Sequence, residues 1–243
     1  MHTTLNYSLN FDKKKRKPNQ IKFIIIHYTG MKKQKDAINK LTNINSKVSS
    51  HYFIKESGEI LTLVPNLYIA WHAGVSKWKK FKSINKYSIG IEISNPGHEN
   101  GYKNFTKEQI KSVLKLCKFL VKKYKINSKF ILGHSDISPD RKKDPGEKFP
   151  WEYLYKRKIG HWHELSQKKL KNQRNRKITI KEKKIFINNL GKIGYSKKIN
   201  KKILDCSKIL ASAFQRRFRQ ELVNGKIDKE CLIISENLVK KFK

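Results

Sequence analysis

Between Gly133 and Gly146 the chain reads GHSDISPDRKKDPG, which sets an imidazole (His134) ten residues ahead of a carboxylate (Asp144), with the ammonium of Lys142 two positions before that carboxylate. Pro139, Pro145 and Gly146 make this stretch a stiff loop rather than a helix. An imidazole nitrogen and a carboxylate oxygen on one rigid loop suit a divalent metal, and a nearby ammonium suits a negative charge that develops during a reaction.

A catalytic zinc takes three protein ligands and leaves a fourth position open. His27 is the best third candidate. It ends the run Ile21-Lys22-Phe23-Ile24-Ile25-Ile26, which has the β-branched, apolar character of a buried strand, so its imidazole sits at the rim of a sheet. His51, His72, His161 and His163 compete with it, whereas His2 and His98 have no supporting context; spacing alone does not choose among them. A second carboxylate, Glu92, interrupts the strand-like run Ser88-Ile89-Gly90-Ile91-Glu92-Ile93. A carboxylate flanked by isoleucines either faces water on an edge strand or points into a cleft. In a cleft, desolvation raises its pKa toward the range a general acid or base needs.

The blocks FIIIHYTG, VSSHYFI, GEILTLVP, AWHAG, SIGIEISNPG and GHSDISPDRKKDPG resemble, in order and spacing, the type-2 N-acetylmuramoyl-L-alanine amidases of the AmpD/AmiD branch, over roughly the first 165 residues. The resemblance implies an amidase/peptidoglycan-recognition-like fold and one zinc ion held by His27, His134 and Asp144. It implies Glu92 as the acid/base and Lys142 as the group that meets the oxyanion. The implied reaction is hydrolysis of the amide between N-acetylmuramoyl, or its anhydro form, and L-alanine in peptidoglycan or muropeptides. Trp71 and His72 are expected to line the substrate groove, as is Trp78. Asn95 also matches the family pattern and is expected near the peptide stem, and Arg141 is placed to meet a substrate carboxylate.

Strand patterns fall at about 21–28, 51–55, 59–64, 88–94 and 130–132. Helical spacing marks 35–45 and, most clearly, 106–124, where Thr106 and Gln109 form a capping box and Ile110, Val113, Leu114, Cys117, Leu120 and Val121 share one face. Strands alternating with helices predict an α/β unit with a mixed central sheet flanked by helices. Both His27 and His134 then leave strand ends on one rim.

Residues 166–177 are polar and read as a linker or an exposed helical connection. Beyond them apolar periodicity resumes. Gly194-Tyr195, Ala213-Phe214-Gln215-Arg216-Arg217-Phe218, Gly225 and Asp228 resemble the small three-helix peptidoglycan-binding domain. A lysine- and isoleucine-rich stretch replaces that domain's usual middle. Phe214 and Phe218 read as core, the arginines 216, 217 and 219 as a basic face, and Asp228 as the cap of a last helix. The expected organisation is a catalytic unit at 1–165, a linker at 166–177 and a small all-α unit at 178–243.

The chain has 243 residues and a formal charge of +37. Such a charge favours anionic partners, although lysines spread along the whole chain also fit a compositional bias. Nucleic acid is not expected, because charge alone leaves the His/Asp/Lys loop unexplained. Three distant cysteines with no CxxC pair read as reduced thiols. No window approaches the roughly 18 apolar residues of a membrane span, and the start has no apolar h-region. The expectation is a monomeric cytoplasmic protein, or an envelope protein if the start is misplaced. The rival reading on the same fold is a catalytically silent muropeptide-recognition protein.

Overall fold

A computed structural model describes residues 3–196 and 203–242; His2 and the lysine-rich stretch 197–202 lie outside the described residues. A six-stranded sheet runs through the first half of the chain in the order Thr4–Leu5, Ile60–Thr62, Tyr52–Ile54, Ser88–Ile93, Phe23–Tyr28, Ile131–Gly133. Only the Tyr52–Ile54 and Ile60–Thr62 neighbours are antiparallel. The other four pairings are parallel, so the sheet is mixed, as the alternation of strands and helices predicts.

Side chains alternate between sheet faces. Ile24 and Ile26, with Ile89, Ile91 and Ile93 beside them, project to one face and join the main core with Ile110, Val113, Leu116, Cys117 and Leu120 of the helix Lys107–Tyr124. Thr106 caps that helix by accepting from Gln109 N at 3.0 Å, and Gln109 returns a side-chain bond to Thr106 N. The opposite face carries Phe53 and Leu61, packed with Ala37 and Leu41 of the helix Gln34–Thr42, and it also carries His27 and Glu92.

The C-terminal part adds the helices Ile180–Ile193, Ile203–Phe218 and Lys229–Phe242. Their apolar side chains, among them Phe186, Phe214 and Leu238, belong to the same core cluster as the sheet. The stretch 166–177 contains the short helix Gln167–Lys171. Leu170 is buried beneath it, and Arg174 donates to Glu230 at 2.7 and 2.8 Å, so this segment runs as a packed connection.

Two further expectations change. Trp78 does not line a groove: it is fully buried, with its ring 5.0 Å from that of Tyr195. Arg217 and Arg219 do not form an open basic face. Arg217 is ion-paired with Asp136, and Arg219 with Asp228, both inside the fold. Asp228 caps the last helix through a 3.0 Å bond from Cys231 N. Burial pushes the Cys117 and Cys231 thiols up to about 12, which keeps them protonated and inert. Among the described residues no helix is long and apolar enough to cross a membrane.

Candidate active site and metal centre

His27 lies near the end of the strand Phe23–Tyr28, and His134 opens a one-turn helix directly after the strand Ile131–Gly133. These strands are parallel neighbours, so both imidazoles leave the sheet at the same rim. The loop after His134 turns back and bonds to its own start through Ser135 N and Asp144 O at 2.9 Å, which returns the Asp144 carboxylate to the imidazoles.

His27 Nδ1 lies 3.0 Å from His134 Nδ1 and 3.0 Å from Asp144 Oδ2, and His134 Nδ1 lies 3.2 Å from that oxygen. All three residues are buried. His134 Nε2 lies 3.1 Å from the carbonyl of Ala73, which can only accept, so His134 carries its proton there and turns a bare Nδ1 inward. A bare nitrogen and a carboxylate oxygen repel at this distance unless a cation draws them together. Among the described residues this is the one cluster of histidine, cysteine or acidic ligand atoms close enough to hold a metal, and its donor set of two nitrogens and one oxygen fits zinc.

Burial and the neighbouring His134 lower the His27 pKa to about 4, so the imidazole is neutral, as a ligand must be. Burial alone would raise the Asp144 carboxyl, but its contacts with His134 and His27 outweigh that and hold it ionised. Glu92 moves the other way. Burial, helped by the charge of Asp144, pushes its carboxyl well above the ordinary range, with Lys142 and Lys40 opposing. Its Oε2 is buried with no hydrogen-bond partner among the described residues.

These groups open into a cleft of about 320 Å³. Glu92, Lys142, Arg141, Trp71 and His72 all line it alongside the three ligand candidates. Trp71 is anchored by a 2.7 Å bond from its Nε1 to Asp12. Arg141 reaches back to the carbonyl of Val75 at 2.5 Å and the Ser138 hydroxyl at 3.1 Å. His72 has both ring nitrogens engaged inside the protein, with His27 and with Ser88, which leaves neither for a ligand. Asn95 is not in the cleft. Its amide donates to Lys103 O at 2.8 Å and its carbonyl accepts from Gly97 N at 3.0 Å, so it shapes the loop behind the rim.

The other histidines are placed elsewhere. His51 lies behind His72 and accepts from Gly90 N at 3.0 Å. His161 and His163 are buried near the C-terminal helices, where His163 stacks on Trp162. His98, which has no motif around it, does line the cleft; it bonds to Tyr28 Oη at 2.8 Å and to Glu147 at 3.0 Å. The sequence signal was absent because His98 meets these partners only through folding, across 70 and 49 residues.

The fold and the rim together define a hydrolase site on a mixed sheet. The N-acetylmuramoyl-L-alanine amidase family (Amidase_2) matches residues 17–147. The chain belongs to that family and is an amidase. It is 32% identical over 236 residues to the N-acetylmuramoyl-L-alanine amidase AmiD of Escherichia coli (strain K12), which covers 92% of this chain and 84% of that protein. It is 40% identical over 107 residues to the 1,6-anhydro-N-acetylmuramyl-L-alanine amidase AmpD of Haemophilus influenzae, a match that spans 44% of this chain and 56% of AmpD. The solved structure of E. coli AmiD in complex with the substrate anhydro-N-acetylmuramic acid-L-Ala-D-gamma-Glu-L-Lys superimposes with a TM-score of 0.80 at 31% identity, covering 91% of this chain and 90% of that one. AmpDh3 of Pseudomonas aeruginosa, in complex with anhydromuramic pentapeptide, gives 0.80 at 27% identity and covers 95% and 94%.

Proposed function

We propose that this chain cleaves the amide joining the lactyl group of (anhydro-)N-acetylmuramic acid to L-alanine in muropeptides, as a zinc enzyme of cell-wall turnover. The observation that carries this reading is the meeting of His27, His134 and Asp144 within 3.0–3.2 Å beside a half-buried Glu92 whose Oε2 is buried without a hydrogen-bond partner among the described residues. The muropeptide complexes of AmiD and AmpDh3 support the substrate class.

Zinc, when bound by these three side chains, supplies a Lewis acid that polarises a carbonyl and acidifies water. Glu92 takes a proton from the attacking water as its oxygen bonds to the carbonyl carbon. It then delivers that proton to the alanine nitrogen as the C–N bond breaks. Burial suits it to this, because a desolvated carboxyl holds a proton between the two transfers more readily than a solvated one. Lys142 faces the same cleft and meets the charge that grows on the carbonyl oxygen. Trp71 offers a flat face to sugar or peptide, and Arg141 a guanidinium to a stem carboxylate. The presence of all the residue types expected at the ligand and acid/base positions supports this reading over a silent recognition protein.

The test is incubation of the full chain with anhydro-muropeptides and with intact sacculi, reading released peptides by mass spectrometry. Free peptide with an N-terminal L-alanine, lost on chelation, is the expected product. Binding without release from either substrate would favour the silent recognition reading.

We propose further that residues 178–243 contact the wall polymer, with 1–165 as the catalytic unit. A basic cleft supports this. It is lined by Lys77, Lys79, Lys192 and Tyr195 and lies where the last helices meet the sheet unit, so it suits stem carboxylates. Charge reversal of Lys79 and Lys192 should weaken sacculus pull-down while leaving cleavage of small muropeptides intact. Equal pull-down would remove the wall-binding role.

A further inference from the structure

We propose that Ser88, His72 and Gly90 form a positioning relay that fixes the tautomer of His27, so that its Nδ1 presents a lone pair, and not a proton, to the point shared with His134 and Asp144. The inference rests on the metal reading given above and assigns the residues that prepare the site for the ion.

Ser88 opens the strand that carries Glu92. Its hydroxyl oxygen lies 2.8 Å from the carbonyl of Ile84 and 3.1 Å from His72 Nε2. A carbonyl only accepts, so at 2.8 Å the single hydroxyl proton lies on that contact. The Ser88 oxygen then turns lone pairs toward His72, and the proton between them belongs to His72 Nε2. A neutral imidazole carries one N–H. His72 Nδ1 is therefore bare and accepts from His27 Nε2 at 3.0 Å. His27 is left with a bare Nδ1, 3.0 Å from both His134 Nδ1 and Asp144 Oδ2. Run in the opposite direction, the same chain of contacts would leave a proton on His27 Nδ1. That proton would bridge to Asp144 and fill the place of a cation. One carbonyl, that of Ile84, thus decides between a proton-bridged cluster and a metal-ready one.

A second observation does not depend on proton positions. A Cβ on Gly90 would fall 2.4 Å from His72 Cγ and 2.7 Å from its Nδ1, so the ring lies against bare backbone that no other residue could offer. The ring meets that of His27 edge to face, with centroids 5.1 Å apart. Its root is fixed as well, because Asn85 Oδ1 accepts from the backbone N–H groups of His72 and Ala73 at 3.2 and 2.7 Å. Residues 88, 90 and 92 alternate onto one sheet face. The Ser-Ile-Gly-Ile-Glu segment therefore supplies the hydroxyl, the slot and the acid/base group in one strand. The dipeptide His72-Ala73 orients both imidazole ligands, His27 through the His72 side chain and His134 through the Ala73 carbonyl.

The relay is tested on the full chain with zinc alone as the probe. Imidazole 15N NMR of metal-free wild type should show His27 protonated at Nε2, and Ser88→Ala should move population toward the Nδ1–H form. Zinc affinity, read by competition with a chromophoric chelator, should fall about tenfold in Ser88→Ala and up to about a hundredfold in Gly90→Ala, the range seen when groups behind metal ligands are removed. Ser88→Thr, which keeps the hydroxyl, should recover most of the loss; a purely structural role for this position would give no such recovery together with the tautomer shift. His27 protonated on Nδ1 in the wild type, or unchanged zinc affinity in Ser88→Ala, overturns the relay. A wild type that binds no zinc overturns the metal reading instead, and the NMR tautomer, read without metal, still decides the relay.

Discussion

His27 and Glu92 sit opposite each other in register on the parallel strands Phe23–Tyr28 and Ser88–Ile93, and so project from the same face of the sheet. The side-chain period of a strand is two, so a slip of one residue would send one of them into the isoleucine core behind the sheet. The pairing therefore couples the proposed metal ligand to the proposed acid/base group through backbone hydrogen bonds rather than through a flexible loop.

Replacing Glu92 by Gln should leave metal content unchanged and lower kcat by about two to four orders of magnitude, the usual worth of a positioned proton carrier. The same change should stabilise the metal-free fold. The folded protein holds the Glu92 proton at a pH where the unfolded chain has released it, so Glu92 costs stability as pH rises above its ordinary value near 4.5. Denaturation midpoints at pH 7 should be higher for the variant, with the gain vanishing near pH 4.

Lys142→Met should lower kcat by about two to three orders of magnitude, with a smaller effect on KM, as expected for the proposed role of its ammonium in meeting the charge on the carbonyl oxygen. Steady-state kinetics on a soluble anhydro-muropeptide measures this.

Acid should weaken the metal-free fold before any carboxylate titrates in bulk. Burial holds His161 at about 3 and His163 at about 4, and it holds His51 and His72 well below the ordinary value. Below pH 6.5 the unfolded chain binds protons that these folded imidazoles refuse, so stability falls as pH drops from 6.5 toward 4. Urea titrations at pH 7, 6 and 5 should show a declining midpoint. His163→Phe should flatten that decline.

Arg217→Met should cost about 3–5 kcal/mol, the usual effect of leaving one partner of a buried ion pair alone. The Asp136 carboxylate it abandons also accepts from Tyr195 at 2.6 Å and from Gly133 N at 2.8 Å, beside the His134 turn. Equilibrium denaturation measures the loss, and zinc affinity should weaken with it.

Much of the sheet was legible because burial writes itself into strands. The apolar run up to Ile26 and the isoleucines at 89, 91 and 93 read as strands, and the capping box at Thr106 fixed the start of the long helix. The choice among five histidines was not legible, because it depends on which strands are neighbours. His27 meets His134 across 107 residues, whereas His51 adjoins the strand Tyr52–Ile54, two places further from His134 in the same sheet. His72 could be read as a cleft residue, but not as one with both nitrogens spent. The docking of the last helices was hidden for the same reason. Arginines 217 and 219 look like a basic surface until Asp136, 81 residues from Arg217, and Asp228, across the turn before the last helix, are folded against them.

The central claim, that His27, His134 and Asp144 jointly grip one divalent ion, is tested most directly by counting zinc in purified protein, wild type beside His134→Ala. The account predicts about one zinc per folded wild-type chain and almost none in the folded variant. A wild type that folds and hydrolyses muropeptides without zinc, or a variant that keeps its full complement, would contradict it.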